Sequence, residues 1–155
     1  AALSEDLGRE IGRAVKGQAA VLGLDRRDAP QIFADGLHIV PHGDGTLAVG
    51  STSERDFADP QATDCGLDDV IARARAACPP LADAPVLRRW AGLRPRARSR
   101  APVLGPWPGR AGHFVANGGF KIGLAMGPAI APLVADLVLE GADRIPPDLR
   151  LDAVI

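Results

Sequence analysis

Residues 111–141, AGHFVANGGFKIGLAMGPAIAPLVADLVLEG, pass from a short apolar strand, His113 to Ala116, through Asn117, Gly118 and Gly119 into an apolar helix that closes at Gly141. The first N–H groups of a helix have no intrahelical partner and carry the positive end of its dipole. Glycines at such a start let an anionic or electron-rich group approach the backbone. The same residues are also what a glycine-rich turn into a core helix requires, and the loop lacks a full phosphate-binding fingerprint.

Just upstream, residues 88–110 read RRWAGLRPRARSRAPVLGPWPGR. An extended segment from Pro85 to Arg100 places Arg88, Trp90, Gly92, Arg94, Arg96, Arg98 and Arg100 on alternate positions, hence on one face of a regular strand. Pro95 interrupts that regularity. The face is either an edge strand with solvated arginines or an anion-facing surface. Arg94, between Gly92 and Pro95, is the candidate for a two-pronged grip on a carboxylate, with a salt-bridged structural arginine as the alternative. Gly105 to Gly109 reads as a turn leading back to the strand at His113.

Further toward the amino terminus, Gly36 to His42 and Thr46 to Ser51 are strand-like runs joined by Gly43-Asp44-Gly45, which is hairpin chemistry. Ala14 to Leu24 reads as a buried strand that bends or lies close to a ligand. Residues 3–12 offer a short helix with Ser4 as its cap. Residues 51–65 are polar and loop-like, and Gly66 to Cys78 is helical, with Leu67, Val70, Ile71 and Ala74 on one side and Pro79-Pro80 as the stop. His38 and His42 share a strand face but lack an evident third ligand, so no metal is expected. His113 is positional.

The chain has 155 residues, 46% hydrophobic and 24% charged, with a formal net charge of -1. That balance excludes a globally basic nucleic-acid binder. Cys65 and Cys78 form no ligand or disulfide pattern, so a reducing, cytoplasmic setting is expected. Ile122 to Leu139 has nearly the length of a membrane span but holds Gly123, Gly127, Pro128, Pro132 and Asp136, and reads as a buried helix of a soluble protein.

In order and spacing these motifs resemble the carboxy-terminal part of the D-amino-acid oxidase superfamily of FAD-dependent oxidoreductases, nearest to its glycine oxidase-like members. The resemblance spans Val15 to Gly141. It rests on Val15-Lys16-Gly17-Gln18, the hairpin and helix up to Cys78, Trp90-Ala-Gly-Leu-Arg-Pro95 with Pro102-Val-Leu-Gly105, and Gly118-Gly119-Phe120-Lys121-Ile122-Gly123-Leu124. It implies an α+β fold: an antiparallel substrate-domain sheet with flanking helices, plus a strand and helix belonging to the flavin domain. By that resemblance residues 1–13 end a flavin-domain segment, 14–100 form the substrate domain, 101–141 return to the flavin domain and 142–155 are a tail.

The resemblance also implies non-covalent FAD, with Gly92 and Gly118, Gly119, Phe120, Lys121, Ile122, Gly123 and Leu124 at the cofactor. Arg94 and Lys121 would meet an amino acid or amine substrate, whose C–N bond loses hydride to flavin. Ala97 and Ser99 stand where the family usually has Thr and Asp, Gly119 and Lys121 stand where a His and a basic residue are common, and tyrosine is absent, which leaves substrate identity open. No G-x-G-x-x-G follows a strand, so the dinucleotide-binding half is expected to be a missing partner. The chain alone would then be inactive, hold no FAD and expose its last helix to self-association. The rival expectation is a non-catalytic module of the same fold that binds a partner protein. A flavin domain of tRNA-modifying enzymes also stays open.

Overall fold

The computed structural model describes residues 2–153. Among the described residues, seven strands and three α-helices follow in the order α1 (Ala2–Asp6), β1 (Gly12–Leu22), β2 (Ile32–Ala34), β3 (Leu37–Pro41), β4 (Leu47–Gly50), α2 (Cys65–Ala77), β5 (Val86–Ala97), β6 (Val103–Pro106), β7 (Phe114–Asn117) and α3 (Gly123–Glu140). Two sheets, one five-stranded in the order β2-β3-β4-β1-β5 and one pairing β6 with β7, give the α+β class. Residues 15–93 form one compact unit, and residues 1–14 with 94–155 form a second.

In the first unit the expected hairpin is present. Gly45 has φ +83, the Asp44 carboxylate accepts from Thr46 N–H at 3.0 Å, and β3 then pairs with β4 antiparallel, Ile39 opposite Val49. β4 in turn pairs with β1, Ala20 opposite Val49 and Leu22 opposite Leu47. Alternate residues of β1, β3 and β4 therefore share one face. α2 covers that face with Leu67, Val70, Ile71 and Ala74, the i, i+3, i+4, i+7 stripe of an amphipathic helix, all buried. Asp64 starts this helix by accepting from Gly66 N–H at 2.9 Å.

Lys16 is only 2% exposed on β1, with its ammonium 3.2 Å from Asp64 and 3.6 Å from Glu54. Gln18, fully buried, donates to both carboxylates at 2.7 and 2.9 Å and accepts from Asp64 N–H at 2.8 Å. Burial disfavours the Lys16 charge, yet its two carboxylate neighbours carry its pKa above the ordinary lysine value. Hydrogen bonds from Gln18, Gly66 and Lys16 hold Asp64 below the usual carboxylate range. A buried charge is tolerated here because every partner is supplied.

In the second unit, β6 and β7 pair from Val103 opposite Asn117 to Pro106 opposite Phe114. One apolar cluster joins Leu3, Ala97, Val103, Val115 and Leu151, and another joins Leu104, Ile145 and Leu149. α1 is shorter than the helix expected over 3–12, because Gly8, at φ +62, turns the chain out. Ser4 lies inside it and accepts from Ile11 N–H at 3.4 Å rather than capping the start. Asp6 receives Trp107 Nε1–H at 2.7 Å and Arg110 at 2.8 Å, which depress its pKa in that order against the opposing cost of burial.

The expectation that residues 122–139 form a buried helix is corrected. α3 is long and apolar enough to cross a membrane by length and composition, but none of its residues is buried. Ile130, Leu133, Val134 and Leu137 lie half-buried against Leu104, Ile145 and Leu149. Leu124 and Leu139 are 95% and 81% exposed. Hydropathy reports what a helix gains by burial, not whether this chain supplies a cover.

Candidate functional site

The glycine-rich loop is fastened to the end of β5. Phe120 N–H donates to the Pro95 carbonyl at 2.9 Å, Arg96 bridges to Gly119, and Ala97 N–H meets the Gly118 carbonyl at 3.5 Å. Pro95 lacks a donor, so it is the strand's carbonyl that anchors the loop. Gly118 has φ +82, and a Cβ there would stand 2.9 Å from that of Ala97. A Cβ on Gly119 would stand 2.7 Å from Gly123 Cα. Both glycines are required by the turn itself. Phe120 adopts φ +46, and its ring lies 5.8 Å from the Arg96 guanidinium and 5.6 Å from the Lys121 ammonium, within cation–π reach of both.

The turn delivers the chain into α3. Ile122 N–H bonds to Gly119 O at 2.9 Å, and Met126 N–H closes the first helical turn on Ile122 O at 2.9 Å. No side chain caps this start. The N–H groups of Gly123, Leu124 and Ala125 are the ones a helix leaves without intrahelical partners. Gly123 differs from Gly118 and Gly119, because nothing lies within 4 Å of where its Cβ would stand. Its missing side chain leaves open space rather than relieving a contact.

Of the residues singled out in the sequence, Gly118, Gly119, Phe120, Lys121, Ile122, Gly123 and Leu124 form this one loop and helix start, with Lys121, Ile122 and Leu124 exposed. Arg94 is half-buried on β5, one residue before the carbonyl that anchors Phe120. Gly92 belongs to the other compact unit, and a Cβ on it would meet nothing within 4 Å. The alternating arginine face is shorter than expected. β5 ends at Ala97, the chain turns through an Arg100 N–H to Ala97 O bond of 3.1 Å, and Arg98 and Arg100 leave the strand. The His38 ring lies tilted against that of Phe33 with centroids 4.7 Å apart, His42 meets Thr46 at 3.3 Å, and His113 meets the Ala111 carbonyl at 3.1 Å.

The clamp on Phe120 was not legible in the sequence. It depends on a left-handed phenylalanine, which residue type does not announce.

The family described as FAD dependent oxidoreductase matches residues 1–137. Glycine oxidase from Pseudomonas putida is 36% identical over 150 residues, covering 93% of this chain and 41% of that protein. The crystal structure of glycine oxidase from Geobacillus kaustophilus superposes with a TM-score of 0.77 at 29% identity, over 92% of this chain and 40% of the other. Iminodiacetate oxidase from Chelativorans sp. BNC1 gives 0.78 at 27% identity, over 92% and 41%. The chain thus spans about two fifths of the length of the relatives it matches.

Proposed function

The chain belongs to the FAD dependent oxidoreductase family, and from that premise we propose that it is the part of an amine-oxidising flavoenzyme that grips the substrate and faces the flavin ring. The observation that carries this reading is the uncapped start of α3, fastened beside the strand that bears Arg94. Its residues fit the electron-rich edge of an isoalloxazine. Unpartnered N–H groups point outward from the positive end of a helix dipole, and Gly123 leaves the approach clear although nothing inside the chain demands a glycine there.

When bound, FAD would supply the acceptor for the hydride that leaves the carbon beside the substrate nitrogen, whose C–N bond becomes C=N as the nitrogen gives up a proton. Arg94 holds the carboxylate of a small amino acid or secondary amine through a two-pronged ion pair, which fixes the direction of the reacting C–H. Lys121 contributes a second cation, on the loop fastened to the end of β5. The N–H groups of Gly123, Leu124 and Ala125 stabilise negative charge that develops beside them, at no cost of reorganisation. The Phe120 clamp keeps those donors in place. The imine product then loses its nitrogen to water. Contacts to the nucleotide end of FAD fall to the remainder of a longer polypeptide, since these residues hold no glycine-rich strand-to-helix fingerprint.

The test is Arg94→Leu in the full-length, flavin-loaded polypeptide. Carboxylate substrates are expected to lose about 2 to 5 kcal/mol of transition-state binding, read from kcat/KM, with flavin content unchanged. Unaltered kcat/KM on every carboxylate substrate defeats the reading.

A further inference from the structure

The second unit holds a groove of about 370 Å³ lined by Gly12, Arg13, Arg96, Ala97, Arg98 and Arg100, with Glu10 as the one acidic residue. A Cβ on Gly12 would come within 2.5 Å of the Arg96 carbonyl, so the strands approach too closely there for anything larger. Its charge is unbalanced. Glu10 is engaged by Arg13 at 3.2 Å, and among the described residues no ion pair reaches Arg96, Arg98 or Arg100. Arg98 is held on one wall by its own N–H to Ile11 O at 3.0 Å and by its guanidinium to Glu10 O at 3.4 Å. Arg100 is carried to the rim by a backbone at φ +64, where an arginine is an uncommon occupant.

We propose that this groove binds a small polyanion, a phosphate or a polycarboxylate. Guanidinium groups present planar donor pairs that match both kinds of oxyanion two at a time. Four of them around one carboxylate leave an excess of positive charge that such a ligand neutralises. The volume suits a small molecule carrying two or more negative charges. The groove shares Arg96 with the loop of the flavin reading, so its test is placed on Arg98 and Arg100, which lie outside that loop and outside β5.

The experiment is a calorimetric titration of the full-length polypeptide at low chloride, with inorganic phosphate in one arm and citrate in the other. Saturable one-to-one binding in either arm is expected, the better ligand naming the class, and Arg98→Gln should weaken it about tenfold or more, the worth of a charge-assisted hydrogen bond. Arg100→Gly is the second variant. It removes the charge at a left-handed position that glycine accepts, so folding is preserved while affinity falls. Absence of saturation by both ligands at about 10 mM overturns the proposal, as does binding that both variants leave unchanged.

Discussion

α2 and α3 are both helices whose ends the chain marks clearly, and they are opposite in what holds them. α2 begins at an acidic cap bonded to Gly66, presents one stripe, and buries all four residues of it. α3 is longer and far more apolar, yet it begins without a cap, buries no residue and leaves Leu124 and Leu139 almost bare. The first helix is accounted for by its own unit. The second keeps an open N-terminus, an unforced glycine and an uncovered apolar face, which are the features the proposed flavin contact draws on. A structural helix spends its polar and apolar groups internally, whereas one built to receive a ligand or another segment keeps them available.

The largest effect expected from this contrast is on stability. Leu67→Ala, at a fully buried position of α2, should cost about 2 to 5 kcal/mol in equilibrium urea unfolding. Leu124→Ala on α3 should stay within about 0.5 kcal/mol in the same measurement on the 155-residue chain. Similar losses at the two sites would erase the distinction. The exposed face should also make that chain self-associate, and Leu124→Glu should lower its mass in solution as measured by light scattering.

A smaller effect separates the glycines of the loop. Gly118→Val forces a branched side chain into φ +82 and against Ala97, and should cost about 1 to 3 kcal/mol of stability. Gly123→Val meets open space, so stability should change by about 0.5 kcal/mol or less, while flavin content of the full-length protein drops. Normal flavin occupancy in the second variant would return Gly123 to the turn and leave α3 without a ligand at its start.

These particulars also mark what the sequence could convey. The hairpin was legible because Gly43-Asp44-Gly45 is local turn chemistry, and the α2 stripe because its period is local too. The loop was located by its glycines, but their division of labour was not, since Gly118 and Gly119 are explained by atoms of Ala97 and Gly123 that meet them only after folding. The burial of Lys16 within a small apolar strand is not legible locally, because its partners lie 38 and 48 positions along the chain. The arginine run was visible as a pattern. Its split at Ala97, which sends Arg98 and Arg100 to the groove, follows from a backbone turn that arginine does not advertise.

The smallest expected effect is confined to the first turn of α2 and follows from how its cap is charged. Asp64 is held below its ordinary pKa of 3.8, first by Gln18, then by Gly66 N–H and Lys16. A carboxyl depressed in the folded state binds its proton more weakly there than in the unfolded chain. Its contribution is therefore fully present above the ordinary carboxylate pKa and is lost as pH falls through the depressed one. Lys16 has the opposite sense: its pKa is raised above 10.5, so its contribution persists below that value and is lost as pH rises through the folded one. The two limits leave a broad neutral plateau with an acid and an alkaline edge. Hydrogen exchange at Gly66 N–H, which bonds the Asp64 carboxylate, should lose protection on the acid edge, while the amide of Leu124 at the uncapped start of α3 shows no such step. Lys16→Met should remove the alkaline edge and only blunt the acid one, because Gln18 and Gly66 still favour the ionised carboxylate. Equal acid steps at both helix starts would mean that α3 carries a titrating cap after all, and the contrast between the two helices would fail at its first turn.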